Sequence, residues 1–158
     1  MKLLQAIRFD PSDTFAFALA AEPGEWVVPG GFTFRAEPEA EPEAGPETGR
    51  ERQAFANGWL APASGGRSTF AAVAEAGEED ALALRSALVV TFRALGAPPA
   101  EAEAAAATEL AFARELADAP TGTVLALRRF VEGGELRETF HRIDTEAVPH
   151  ARVWEVVE

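Results

Sequence analysis

With 158 residues, 47% of them hydrophobic, the chain is sized for one domain that buries a core without covalent staples. It has no Cys, no Tyr and only two His, which excludes disulfides, thiolate metal sites, thiol nucleophiles and tyrosyl chemistry. Its net charge of −12 disfavours nucleic acid and anionic membrane surfaces as partners.

The first eight residues do not read as a secretory signal, because their apolar stretch is interrupted at Gln5 and stops at Arg8. No run of about 18 apolar residues follows, so a cytoplasmic protein is expected. Residues 3–9 alternate weakly around Ile7 and Phe9 and predict a first strand. Asp10-Pro11-Ser12-Asp13 is a helix-start signal in which Ser12 or Asp13 can cap. Residues 14–21 then predict a short helix that buries Phe15 and Leu19, closed by Glu22-Pro23-Gly24. Residues 25–28 and 32–34 predict strand on either side of a bend at Pro29-Gly30-Gly31.

Composition breaks at residues 36–49, where Pro38, Pro42 and Pro46 recur between glutamates. Such a segment neither buries apolar area nor holds a helix, so a disordered or loosely ordered acidic insertion is expected within a single domain covering 1–158. Five Glu lie in residues 36–48 without a basic residue; setting them aside leaves −7, so the body is acidic in its own right. The insertion reads either as a docking tail for a basic partner or as a surface loop without a task.

Residues 50–57 have helical character, with Gly58 as the stop. Residues 62–66 predict a loop. Residues 67–75 predict a strand with Phe70, Ala72 and Ala74 on one face and Thr69, Ala71 and Val73 on the other. Across 78–95, Leu84, Leu88, Phe92 and Leu95 fall at helical spacing, ended by Gly96 and Pro98. Pro99 suits the first position of a helix over 99–117, whose inward residues are Ala106, Leu110, Ala113 and Leu116.

Residues 123–131 and 135–143 flank Gly133-Gly134, a two-residue hairpin turn. This register sets Val131 opposite Leu136, Arg129 opposite Glu138 and Leu127 opposite Phe140, with Leu125, Leu127, Val131, Leu136 and Phe140 facing the core. Residues 152–157 predict a last strand, pairing at a sheet edge or with another subunit. The order of elements predicts an α+β fold: a mainly antiparallel sheet with two long helices on one face, a C-terminal hairpin and a terminal strand.

Candidate chemistry is sparse. His141 and His150 lie nine positions apart, without metal-site spacing. Ser64-Gly65-Gly66-Arg67 resembles a phosphate loop only loosely, since it runs into a strand rather than a helix, and a plain connector is the simpler reading. Arg128, Arg129, Arg137 and Arg142 form a basic island whose guanidinium forks could hold a carboxylate or phosphate, unless Arg129 is committed to Glu138. Arg128, Arg129, Arg137 and His141 are therefore the candidate ligand-binding residues; no catalytic residue, metal ligand or cofactor is assigned. Trp26, Trp59 and Trp154 read as packing residues, or as interface markers wherever one is exposed.

Met1-Lys2-Leu3-Leu4 with Ile7-Arg8-Phe9-Asp10, Gly24-Glu25-Trp26, Arg52-Gln53-Ala54-Phe55-Ala56-Asn57-Gly58, and Thr123-Val124 with Arg128-Arg129-Phe130 resemble a family of small, acidic bacterial proteins without an assigned activity. The resemblance covers most of the chain apart from the insertion. Members of that family are encoded near a molybdenum-dependent formate dehydrogenase and its maturation proteins, which implies an accessory role and carries over no catalytic residue. Residues and resemblance together predict a small accessory protein without catalytic activity that binds another protein, or itself as a homodimer, through a sheet edge or helix face. The second reading is a small-ligand or anion-binding domain, or a weak enzyme, centred on the Arg-rich hairpin.

Overall fold

The computed structural model describes residues 1–34, 46–143 and 154–157, with 46–48 and 154–157 described as backbone alone. The first elements are β1 (Lys2–Ile7), α1 (Asp13–Ala16), β2 (Trp26–Val27) and a 3-10 turn at Gly31–Thr33. After residues 35–45 come α2 (Pro46–Asn57), β3 (Trp59–Ala61), β4 (Gly66–Ser68) and β5 (Phe70–Glu75). Then follow the long helices α3 (Glu78–Ala94) and α4 (Pro99–Leu116), the hairpin strands β6 (Val124–Glu132) and β7 (Glu135–Ile143), and β8 (Trp154–Val157).

Six strands form one sheet in the order β2-β1-β5-β6-β7-β8, every neighbouring pair antiparallel, while β3 and β4 make a separate two-stranded ribbon. This is the expected α+β fold, and the terminal strand closes the sheet edge beside β7. Of the acidic insertion expected at 36–49, residues 36–45 lie outside the described residues, whereas 46–49 are helical: α2 begins at Pro46, four residues ahead of the helix predicted at 50. Pro46 suits that start, since a first-turn proline gives up a donor that the helix would leave unpaired.

Each long helix follows from its sequence. Asp80 accepts a hydrogen bond from the Gly77 N–H (2.8 Å) at the start of α3, and Glu78, Glu79 and Asp80 oppose the positive end of its dipole. Pro99 opens α4, whose alanines Ala102, Ala106 and Ala113 are buried and let other chain approach closely. The register of the strands places Leu4, Ala6, Ala71, Val73, Leu125, Leu127 and Phe140 on one sheet face, where they join Trp59, with Phe112 and Leu116 of α4 packed against them. Leu84 and Leu88 of α3 pack with Ala106 and Ala113 of α4 and with Leu3, Val28 and Leu60. Trp59 is fully buried and Trp26 partly so; the Trp154 side chain lies outside the described residues. Among the described residues no helix is long and apolar enough to cross a membrane.

The hairpin has the predicted register at every pair, with Gly133 at φ 59° and Gly134 at φ 80° in its turn. Three other expectations fail in whole or in part. The helix over 14–21 stops after four residues, because Arg67 of β4 takes the backbone: its N–H donates to Leu19 O (2.9 Å) and its carbonyl accepts from Ala21 N (2.8 Å). Extended chain at this point turns Phe17 and Ala21 inward and leaves Phe15 71% and Leu19 53% exposed. Gly66 permits the approach, since a Cβ there would sit 2.8 Å from Ala21 Cα. Residues 32–34 are not strand either. Their backbone coils on Gly30 and Gly31, while Phe32 stacks on Phe92 of α3 (4.1 Å between ring centroids) and Phe34 meets Phe55 of α2 edge-on (5.3 Å).

The predicted strand over 67–75 divides at Thr69, whose N–H and hydroxyl both donate to the buried Asp13 carboxylate (3.3 and 2.6 Å). β4 thereby turns away to pair with β3, and β5 enters the main sheet. The packing gives a direct test: Leu88→Ala, at a fully buried site, lowers the unfolding free energy by about 3 kcal/mol in urea titration, whereas the exposed Leu82→Ala changes it by less than about 0.5 kcal/mol.

Candidate functional site

Strand alternation puts Arg129 on the core face of β6, between Leu127 and Val131, and its side chain has no exposed surface. A buried guanidinium is tolerated only if its donors are met. Here Nε donates to Glu138 Oε2 across the hairpin (2.9 Å) and Nη2 donates to Pro29 O (2.7 Å). Nη1 donates to Phe55 O (2.8 Å) at the end of α2 and to Ala54 O (3.3 Å), which also accepts from Gly58 N (3.0 Å). Arg67 reaches the same helix end, donating from Nη1 to Gly58 O (3.3 Å) and from Nη2 to Thr33 Oγ1 (2.7 Å). Both guanidinium carbons lie over the Phe34 ring, 4.8 Å (Arg67) and 5.1 Å (Arg129) from its centroid.

Glu109 of α4 completes a set of two arginines and two glutamates, accepting from Gly30 N at 3.3 Å. Burial pushes its carboxyl up from the ordinary value, helped by the Glu138 charge, while the Gly30 bond and Arg129 pull it back. Burial, and then the Arg129 charge, lowers the Arg67 guanidinium to about 10, so it remains a cation at neutral pH. Arg129 is lowered by burial too, with Glu138 opposing the shift.

The opposite face of β6 carries Ala126, Arg128 and Phe130. A groove of about 430 Å³ is lined by Ala56 and Asn57 from the end of α2, Thr69 and Phe70, and Ala126, Leu127, Arg128 and His141. His141 Nε2 lies 3.0 Å from Thr139 Oγ1. Arg128 is exposed, with its guanidinium carbon 5.9 Å from the Phe130 centroid. Phe9, 53% exposed, packs its ring 4.9 Å from that of Phe70.

The four candidate residues therefore separate. Arg128 and His141 meet in the groove; Arg129 points the other way and is fully engaged; Arg137 is exposed near the hairpin tip, within 3.9 Å of Glu132 and 3.6 Å of Glu135. His150 lies outside the described residues. The Ser64-Gly65-Gly66-Arg67 segment is the turn of the β3–β4 ribbon, and its amides at 64 and 65 bond Ala61 O rather than facing a ligand. Sequence reasoning set Arg67 aside with its loop and missed Glu109, Asn57 and Thr69. The strand parity of Arg129 was the one available signal, since a charge between two core positions must find partners inside. Among the described residues no three His, Asp or Glu side chains gather as metal ligands.

Fold and cluster define an α+β protein whose buried charges fasten its helices to its sheet. The chain belongs to a family of unknown function (DUF6505), whose family model matches residues 1–153. No curated protein and no solved structure matches it.

Two measurements check the cluster. Arg129→Met strands the carboxylate of Glu138 and the carbonyls of Pro29 and Phe55 and costs about 3–5 kcal/mol in chemical unfolding, while Arg128→Met, at the exposed next residue, costs less than about 0.5 kcal/mol. For Glu109 the folded state holds its proton more tightly than the unfolded chain, so its contribution to stability falls as pH rises from the ordinary value of 4.5 through the raised one. Glu109→Gln removes that slope, and the variant gains stability relative to the parent between pH 4.5 and pH 7.5 in paired urea titrations.

Proposed function

We propose that this protein is an accessory interaction protein without catalytic activity of its own, acting in the cytoplasm. It holds a polypeptide partner on the surface formed by Phe9, Phe15 and Leu19. The observation that carries the reading is their exposure, 53%, 71% and 53%, all on one short stretch beside β5 and the ribbon. Single exposed leucines need no explanation, but two phenylalanines and a leucine from one stretch are the kind of apolar surface that partners cover. Aromatic anchors dominate binding energy when a partner desolvates them.

Charge favours a different chain as the occupant, since a second copy would bring another −12 against the first. It also argues against anionic bilayers. Arg50 donates to Phe15 O at 3.3 Å and Arg128 lines the adjoining groove, so the surface suits a segment with apolar anchors and some acidic character. The family resemblance supports a subunit or maturation protein of a molybdenum-dependent formate dehydrogenase as that chain.

Calorimetric titration against the purified subunits and maturation proteins of such an enzyme tests the reading. One of them binds the parent, and Phe9→Ser with Phe15→Ser weakens that binding more than about tenfold, or about 1.4 kcal/mol, with unfolding midpoints unchanged. Equal binding by parent and variant removes the surface assignment. A dimer in light scattering that the double substitution dissolves replaces the foreign partner by a second copy.

A further inference from the structure

The groove beside β5, β6 and β7, which reaches inward to the core residue Leu127, has a chemical character of its own. Its lining includes Asn57, Thr69, Arg128 and His141 as polar groups, and Ala56, Phe70, Ala126 and Leu127 as apolar ones. Not one of these eight is acidic, on a chain with 26 acidic and 14 basic residues. Asn57 accepts at Oδ1 from Gln53 Nε2 (2.6 Å), which leaves its amide N–H groups to donate. Arg128 has no carboxylate within ion-pair distance among the described residues, in contrast to Arg129 and Arg137. Thr69 gives its hydroxyl hydrogen to Asp13, whose carboxylate is buried and bonded by Thr69 alone among the described residues.

We propose that this groove is a binding site for a monocarboxylate carrying a flat or branched apolar body. A guanidinium fork and an amide are donors of the kind that fit a carboxylate, and the Phe70 ring with Ala126 and Leu127 supplies the wall for the body. Its volume of about 430 Å³ lies in the range of small-ligand sites. The acidic body disfavours ligands with a second negative charge. The ligand is either a free small acid or the carboxyl end of a polypeptide, and although the groove adjoins the Phe9–Phe15 surface through Phe70 and shares Arg128 with it, the small-acid titration reads the groove without the polypeptide partner.

Phenylacetate is the probe for a free acid, phenethylamine its opposite-charge counterpart, and N-acetyl-Gly-Phe as acid and as amide represents a chain terminus. Each is titrated into the full chain labelled with 15N, following the side-chain signals of Asn57 and Arg128. Saturable shifts with phenylacetate or with the peptide acid, and none with phenethylamine or the peptide amide, are expected. Response to phenylacetate assigns a free acid; response to the peptide acid alone assigns a chain terminus. Arg128→Gln weakens binding at least about tenfold with amide dispersion retained, while Arg137→Gln, outside the groove, leaves it unchanged. Absence of shifts with both acids, equal response to phenethylamine, or undiminished binding by Arg128→Gln overturns the proposal.

Discussion

A guanidinium moved from water into a protein interior loses several kcal/mol of hydration, and only a complete set of acceptors offsets it. Arg129 finds those acceptors on three separate pieces of chain: the Pro29 bend, the end of α2 and Glu138 of β7. Arg67 and Glu109 bind the ribbon and α4 to the same point through Gly58, Thr33 and Gly30. Of these segments the Pro29 bend is short and α2 is only weakly amphipathic, so apolar burial alone sets their orientation loosely. The charge therefore supplies direction where burial alone would supply only cohesion, because hydrogen bonds fix orientation and apolar contact does not.

The cluster and the groove are two sides of one hairpin. Arg129 and Arg128 are neighbours in sequence, and strand alternation sends one inward and the other outward. Through its hold on the α2 carbonyls, Arg129 also places Ala56 and Asn57, which form one wall of the groove. The open site thus inherits its shape from a residue that does not line it.

How much of this was legible in the sequence depended on the range of the forces involved. The hairpin register, the faces of β5 and the two long helices follow from local periods and turn residues, and they stand as expected. The helix over 14–21 fails because a long-range pairing with Arg67 competes for its backbone, which no local pattern reports. Residues 32–34 fail for a similar reason: their aromatic rings serve two different helices rather than a strand neighbour. At the site, strand parity brings Arg128 and His141 to one groove. The hairpin register gives the pairing of Arg129 with Glu138, but not its burial, because a charge is ordinarily solvated. Glu109 carried no signal, being one acid among 26 acidic residues until the fold brings it to Gly30.

The Phe34 ring, covered by two guanidinium groups, also has a mechanical meaning for the Pro/Glu stretch that follows it. Chain enters that stretch from an anchored aromatic ring and leaves it into a helix whose far end is tied to the same arginines. Both flanks of the stretch are thus held by the same two arginines. For a closed chain segment, doubling the length costs only about 0.6 kcal/mol, little beside what the anchors contribute. By that measure, foreign sequence grafted between the two anchors costs little of the domain's stability.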